Sequence, residues 1–78
     1  MNMSSPLLQS EVLEIIKSRN SIQFEDLVRE IRKVDPAVQE KDTMGILLKL
    51  ELLGMITVRR LAKKNLLIEF IKKEQNST

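Results

Sequence analysis

The fold of this chain is decided around residues 47–56, whose sequence reads LLKLELLGMI. Leu47 and Leu50 lie three residues apart, a spacing that places both on one face of a helix. Gly54 then supplies the residue type that most easily adopts the left-handed conformation at a helix end. Residues 55–59 follow with β-branched and alternating side chains, which predict a strand with Ile56 and Val58 facing the core. The stretch therefore reads as a helix that stops at a glycine and leads directly into a strand.

The residues before this stretch predict two further helices and a short strand. Ser5 and Pro6 form a helix-start signal, because serine caps free amides and proline suits the first helical position. Asp35 and Pro36 stop a later helix, since proline disfavours helical geometry in the residue before it. We expect a first helix over about residues 6–19, a strand stub at 21–23, a second helix from 24 to about 33, and a third that starts near Pro36 or Val38 and ends at Gly54.

The residues after the stretch predict a β-hairpin. Residues 61–65 would form its turn, and Leu66, Ile68 and Phe70 would form a second alternating strand. Leu67, Phe70 and Ile71 also fit helical spacing, and no Asn-Gly or Asp-Gly pair marks the turn, so a fourth helix is the alternative. We expect frayed ends at about residues 1–5 and 73–78.

Length and composition limit the class of protein. The chain has 78 residues, enough for a single domain, and carries 13 basic and 11 acidic side chains. It contains neither Cys nor His, which excludes a disulfide framework, a Cys/His zinc site, a thiol nucleophile and a histidine base. We therefore expect no enzyme activity, no cofactor, no metal and no small-molecule ligand. The absence of a membrane-spanning run and of a signal-peptide pattern predicts a cytoplasmic protein, and the composition is typical of a hot environment.

The order of elements resembles a winged-helix (winged helix-turn-helix) domain of the kind found in small archaeal and bacterial regulators. The resemblance rests on Leu47, Leu50, Gly54 and Ile56, which match the family's junction between recognition helix and wing, and it covers about residues 6–71. It implies an α+β fold with three helices followed by a two-stranded β-hairpin wing, the strand stub lying between the first two helices. It also implies double-stranded DNA binding, although winged helices serve as protein-interaction modules too.

Basic side chains are concentrated near the expected hairpin turn. Residues 59–78 contain six basic and two acidic residues, and Arg59, Arg60, Lys63 and Lys64 fall within six positions that hold no acid. In a hairpin these four would crowd one tip, which could lie along a phosphate backbone or place an arginine in a minor groove. The alternative is that they only keep an exposed turn soluble.

The third helix, which the resemblance assigns to the major groove, offers few base-reading side chains. Gln39 could pair with adenine, Lys41 could reach guanine, and Thr43 could touch a phosphate or a thymine methyl group. Glu40 and Asp42 would repel phosphate unless they turn aside or stabilise the helix N-terminus. The alternative is that these residues only cap and solvate the helix start.

Apolar residues lie almost all the way round the third helix, which predicts a second contact surface. Leu48 and Leu52 are the candidates, together with Leu67 and Ile71 in the last segment. We expect them to form a homodimer that presents two wings to two DNA half-sites. Two alternatives remain: the hairpin and first helix cover these residues in a monomer, or the leucines contact a different protein in a larger assembly.

Overall fold

The computed structural model describes residues 6–62 and 65–72 and has an α+β architecture of three helices and a three-stranded antiparallel sheet. Its elements are consistent with a small winged-helix-like fold. The predicted ends at residues 1–5 and 73–78 lie outside the described residues. In chain order the elements are α1 (Pro6–Arg19), β1 (Ser21–Gln23), α2 (Phe24–Val34), α3 (Glu40–Leu52), β2 (Ile56–Ala62) and β3 (Asn65–Phe70).

The first two helices have the predicted bounds to within one residue, and Asn20 separates α1 from β1. Asn20 adopts a φ of 69° and donates its backbone N–H to the carbonyl of Ile16 at 2.8 Å. Asparagine tolerates this left-handed conformation better than other side chains, so α1 ends there and the chain enters β1. At the end of α2, the Asp35 side chain accepts the N–H of Ala37 at 3.2 Å and closes a turn.

Helix α3 begins at Glu40, so the predicted start near Pro36 or Val38 is wrong. The turn at Asp35 carries the chain past Pro36, and Val38 is buried as an anchor of the connection rather than as a helical residue. The Asp42 carboxylate accepts the N–H of Gln39 at 3.1 Å, which fixes Gln39 as the residue before the first helical turn. A side-chain cap therefore outweighs proline's preference for a first helical position.

The end of α3 follows the predicted glycine signal. Gly54 has a φ of 78° and donates to the carbonyl of Glu51, while the Met55 N–H bonds to the carbonyl of Leu50, both at 3.0 Å. These two bonds satisfy carbonyls that the helix leaves unpaired and turn the chain into β2. The junction that decides the fold is thus held by backbone hydrogen bonds around one glycine.

The sheet has three strands in the order β1-β3-β2. The predicted stub and the predicted two-stranded hairpin are both present, and they join in one sheet, a pairing that was not predicted. Residues 21–23 pair with residues 67–69, which makes the stub a full edge of the sheet. The hairpin of β2 and β3 is confirmed and the alternative fourth helix is wrong. Strand β2 runs on to Ala62, because an irregularity between Arg60 and Ala62 shifts the register and keeps Leu61 within the strand.

The core lies between the sheet and the three helices, as the alternation of β2 and β3 predicts. Ile56 and Ile68 are buried while Val58 and Phe70 are partly buried against the same cluster. Of the polar residues that the structure describes, Thr43 is the one that is fully buried. The buried apolar residues are Val12, Ile16, Ile22, Leu27, Val28, Ile31, Val38, Ile46, Leu47, Leu50, Ile56 and Ile68.

Candidate nucleic-acid interface

The two arginines of the hairpin lie within β2 and on opposite faces of the sheet. Arg59 is paired in register with Leu67, and its Nε lies 3.4 Å from Oε1 of Glu69. Arg60 is opposite Leu66 and is exposed. Because successive side chains of a strand point to opposite faces, the predicted crowding of all four cations at one tip does not hold for these two.

Lys63 and Lys64, the other two predicted hairpin cations, lie outside the described residues.

The ion pair of Arg59 and Glu69 is open to solvent, with side-chain exposures of 63% for Arg59 and 38% for Glu69. An ion pair this accessible is weak, so phosphate oxygen could replace the carboxylate of Glu69 as the partner of Arg59.

The start of α3 presents Gln39, the residue before the first helical turn, and Lys41 to solvent, together with Glu40. Asp42 is turned back to the helix start, where its carboxylate accepts the backbone N–H of Gln39. One of the two acids that would repel a phosphate is thus used as a helix cap, as one of the sequence alternatives expects. Gln39 and Lys41 are the accessible donors at this end of the helix.

Thr43 is not available to DNA, which corrects its assignment as a base or phosphate contact. Its side chain has 0% exposure, and its hydroxyl lies 3.5 Å from the backbone carbonyl of Gln39. The position falls on the inward face of α3, with Leu47 and Leu50. At 100° per residue these positions share one side of the helix, so helical geometry could have indicated this burial from the sequence.

The outward face of α3 is mostly apolar. Lys41, Gly45, Leu48 and Leu52 follow one another at spacings of four, three and four residues, on the side opposite the buried face, and all are exposed. Leu48 is 54% and Leu52 is 88% exposed, so the alternative that the monomer covers both leucines is wrong. We call these four residues the outer stripe. Sequence reasoning found its leucines but missed Gly45, which the same spacing would have indicated.

The remaining predicted interface residues lie away from the outer stripe. Leu67 is half-buried on the sheet face that carries Arg59, between that residue and Gln23 in the register. Ile71 lies instead at the end of α3, in a cleft of about 330 Å3 that the sequence did not indicate. The cleft is lined by Leu13, Leu53, Gly54, Met55, Phe70 and Ile71. The four predicted residues therefore do not form one patch.

The helical part of the structure has no excess of positive charge. Residues 24–52 contain five basic and seven acidic side chains. Of the bases on α2, Arg29 lies 2.7 Å from Asp26, Lys33 lies 3.5 Å from Glu30, and Arg32 donates to the carbonyl of Val38. These ion pairs are as exposed as that of Arg59 with Glu69, so pairing does not distinguish the two regions. The hairpin differs in charge density, because residues 59–64 contain four basic side chains and no acidic one.

Residues 6–62 and 65–72 include neither a group of metal-ligating side chains nor a membrane-spanning helix. No group of three or more His, Cys, Asp or Glu side chains in this part of the chain is placed to hold a metal ion. None of the described helices has the length and apolar character needed to cross a membrane.

Comparisons of the chain with protein-family models, with curated proteins and with solved structures gave no match. The interpretation of the site therefore rests on its geometry and charge.

Proposed function

We propose that this chain is a winged-helix protein that binds double-stranded DNA, as a transcription regulator or a DNA-organising protein in the cytoplasm. The observation that carries the proposal is the β2–β3 hairpin, which exposes Arg59 and Arg60 and whose connection contains Lys63 and Lys64 in the sequence. Four cations in six positions concentrate positive charge at this end of the sheet, with one arginine on each face, which favours contact with a phosphate backbone or a narrow minor groove.

The start of α3 adds the polar side chains of Gln39 and Lys41 to this surface. Both are exposed and lie ahead of the apolar part of the outer stripe. They can donate hydrogen bonds to base edges or phosphates, whereas Leu48 and Leu52 further along the helix cannot. We therefore assign the larger share of the affinity to the hairpin, and a smaller share to α3 in the major groove.

The proposal includes a homodimer, because Leu48 and Leu52 expose apolar area that a monomer leaves in water. Leu67 and Ile71 are half-buried and have less area to contribute. A dimer would also bring two hairpins to one duplex, which raises the affinity of a module with few contacts.

Titration of a duplex at two salt concentrations tests DNA binding. We expect binding that weakens steeply with salt, because each phosphate contact releases counterions. Changing Arg59, Arg60, Lys63 and Lys64 together to Ala should remove most of the affinity and reduce the slope of log K against log salt by about 3 to 4.

A matched control removes the same charge elsewhere. Lys17, Arg29, Lys33 and Lys72 are exposed and lie outside the hairpin, so changing all four to Ala should leave most of the binding intact. Equal losses in the two variants would mean that only total charge matters. No binding by the wild-type chain at low salt would refute the proposal.

A second candidate function is a protein-interaction module in a larger assembly that does not bind DNA. The acidic balance of residues 24–52 and the apolar outer stripe favour it, because a helix that enters a major groove normally exposes polar side chains. A chain that ignores DNA at low salt, and whose association with a defined protein is lost in Leu52→Lys, would decide for this function.

A further inference from the structure

We propose that two copies of this chain pair through the outer stripes of their α3 helices, side by side and in parallel, about a two-fold axis that runs along the helices. This inference deepens the homodimer of the proposed function, and it does not depend on DNA binding. It assigns the contact to Gly45, Leu48 and Leu52, and it specifies which charges meet across the axis.

The spacing of the outer stripe is that of a helix-pairing seam. Lys41, Gly45, Leu48 and Leu52 alternate at four, three and four residues, the repeat by which helices pack against each other over successive turns. A Cβ placed on Gly45 would meet nothing within 4 Å, so this side of the helix is open. Glycine there also permits a close approach of a second backbone.

The charges beside the stripe determine the orientation of the partner. Lys49 and Glu51 lie on opposite sides of the line through Leu48 and Leu52, about 80° away from it at 100° per residue. In a parallel two-fold pair, Lys49 of each copy lies beside Glu51 of the other. In an antiparallel two-fold pair, Lys49 would face Lys49 and Glu51 would face Glu51. Charge complementarity thus favours a second copy in parallel orientation.

The area of the stripe requires that the contact continue past the end of α3. A helix of 13 residues is about 20 Å long, and a face about 10 Å wide gives roughly a quarter of the 800 Å2 that each partner buries in a standard interface. The nearest further apolar side chains are Leu53, which is 62% exposed and about 100° round the helix from Leu52, and Met55 beside the cleft, so the partner must also cover this flank. We place the centre of the contact near Leu52, away from the repelling pair of Lys41 side chains.

This pairing also changes how DNA would be bound. Packed helices lie 8–10 Å apart, whereas recognition helices on successive half-sites are about 34 Å apart. A dimer paired through α3 cannot place both helices in successive major grooves. The expected two-half-site arrangement of the helices is then excluded. The hairpins make most of the contact with DNA in such a dimer, and Gln39 and Lys41, at the far end of α3 from the centre near Leu52, can add a smaller contact to the same stretch of duplex.

Single-cysteine cross-linking tests the pairing without DNA, because the chain contains no cysteine of its own. Leu48→Cys and Leu52→Cys should each form a disulfide-linked dimer under mild oxidation at least tenfold faster than Val34→Cys, an exposed control beyond the stripe. Two positions one turn apart can both link to themselves only in parallel pairing. Linking at just one of them would indicate antiparallel pairing, and rates equal to the control would refute the interface.

Charge exchange gives an independent test of orientation. Lys49→Glu alone and Glu51→Lys alone should each weaken the dimer several-fold by light scattering or sedimentation, and the double exchange should restore it. Failure of the double exchange to restore association would overturn the parallel arrangement. A wild-type chain that is monomeric at several hundred micromolar would overturn the dimer altogether, whereas loss of duplex binding alone would count only against the proposed function.

Discussion

The inward and outward faces of α3 both carry large aliphatic side chains at helical spacing but have opposite surroundings. Ile46, Leu47 and Leu50 are almost completely buried against α1 and the sheet. Leu48 and Leu52 project from the other side and are more than half exposed. Other segments of the same chain therefore cover the inward face, whereas the outward face has the apolar composition of a contact surface for a second molecule. Apolar periodicity alone does not distinguish the two, because both faces repeat at helical spacing.

Truncating one leucine on each face of α3 should give the largest difference between the two faces in the free energy of unfolding. Leu47→Ala should lower the free energy of unfolding by about 2–5 kcal/mol, since it leaves a cavity in a packed core. Leu52→Ala should change monomer stability by less than about 0.5 kcal/mol. Denaturant unfolding at low protein concentration measures both. Similar losses in the two variants would mean that the outward face is also covered in the monomer.

Replacing each of the two glycines with alanine should change the free energy of unfolding by an intermediate amount, and in opposite directions. Gly45→Ala should stabilise the monomer by about 0.5–1 kcal/mol, because alanine is the better helix former and its Cβ meets no neighbour. Gly54→Ala should destabilise it by about 1 kcal/mol or more, because Gly54 has a positive φ that a Cβ disfavours. Thermal or denaturant unfolding provides the measurement. If Gly45→Ala instead destabilises the monomer, another part of the chain must contact the outer stripe at this position.

The smallest expected effect concerns Thr43, which lies on the inward face. Thr43→Val conserves the shape of the side chain and removes a hydroxyl whose bond to the Gln39 carbonyl is long, at 3.5 Å. Stability should change by less than about 1 kcal/mol, and duplex affinity should stay the same. Lys41→Ala on the outward face serves as the comparison and should weaken duplex binding. A specific loss of DNA affinity in Thr43→Val would restore that residue to the interface.

Local signals predicted most of the fold, and the failures have identifiable causes. Pro6, Asn20 and Gly54 act through their own backbone preferences, so the bounds they set were predicted within a residue or two. The start of α3 was not predicted to this precision, because it depends on whether Pro36 or the cap formed by Asp42 sets the first helical turn.

The candidate site was less predictable than the fold. Gln39 and Lys41 are exposed as the helix pattern expects, but Arg59 and Arg60 diverge because β2 is longer than predicted and strand geometry sends neighbours to opposite faces. Thr43 was misassigned on its polar side chain, although its helical position matches that of Leu47 and Leu50. At this position helical periodicity predicts burial, whereas the polar type of the side chain predicts exposure.

By itself, the sequence determined the identity and order of the helices, the glycine junction after α3 and the hairpin that follows it. These depend on side chains and backbone preferences that act within a few residues. Tertiary structure alone decided that residues 21–23 pair with residues 67–69 and that Leu48 and Leu52 are exposed. Such features depend on segments far apart in the chain, whose packing selects among faces and partners that local periodicity leaves equivalent.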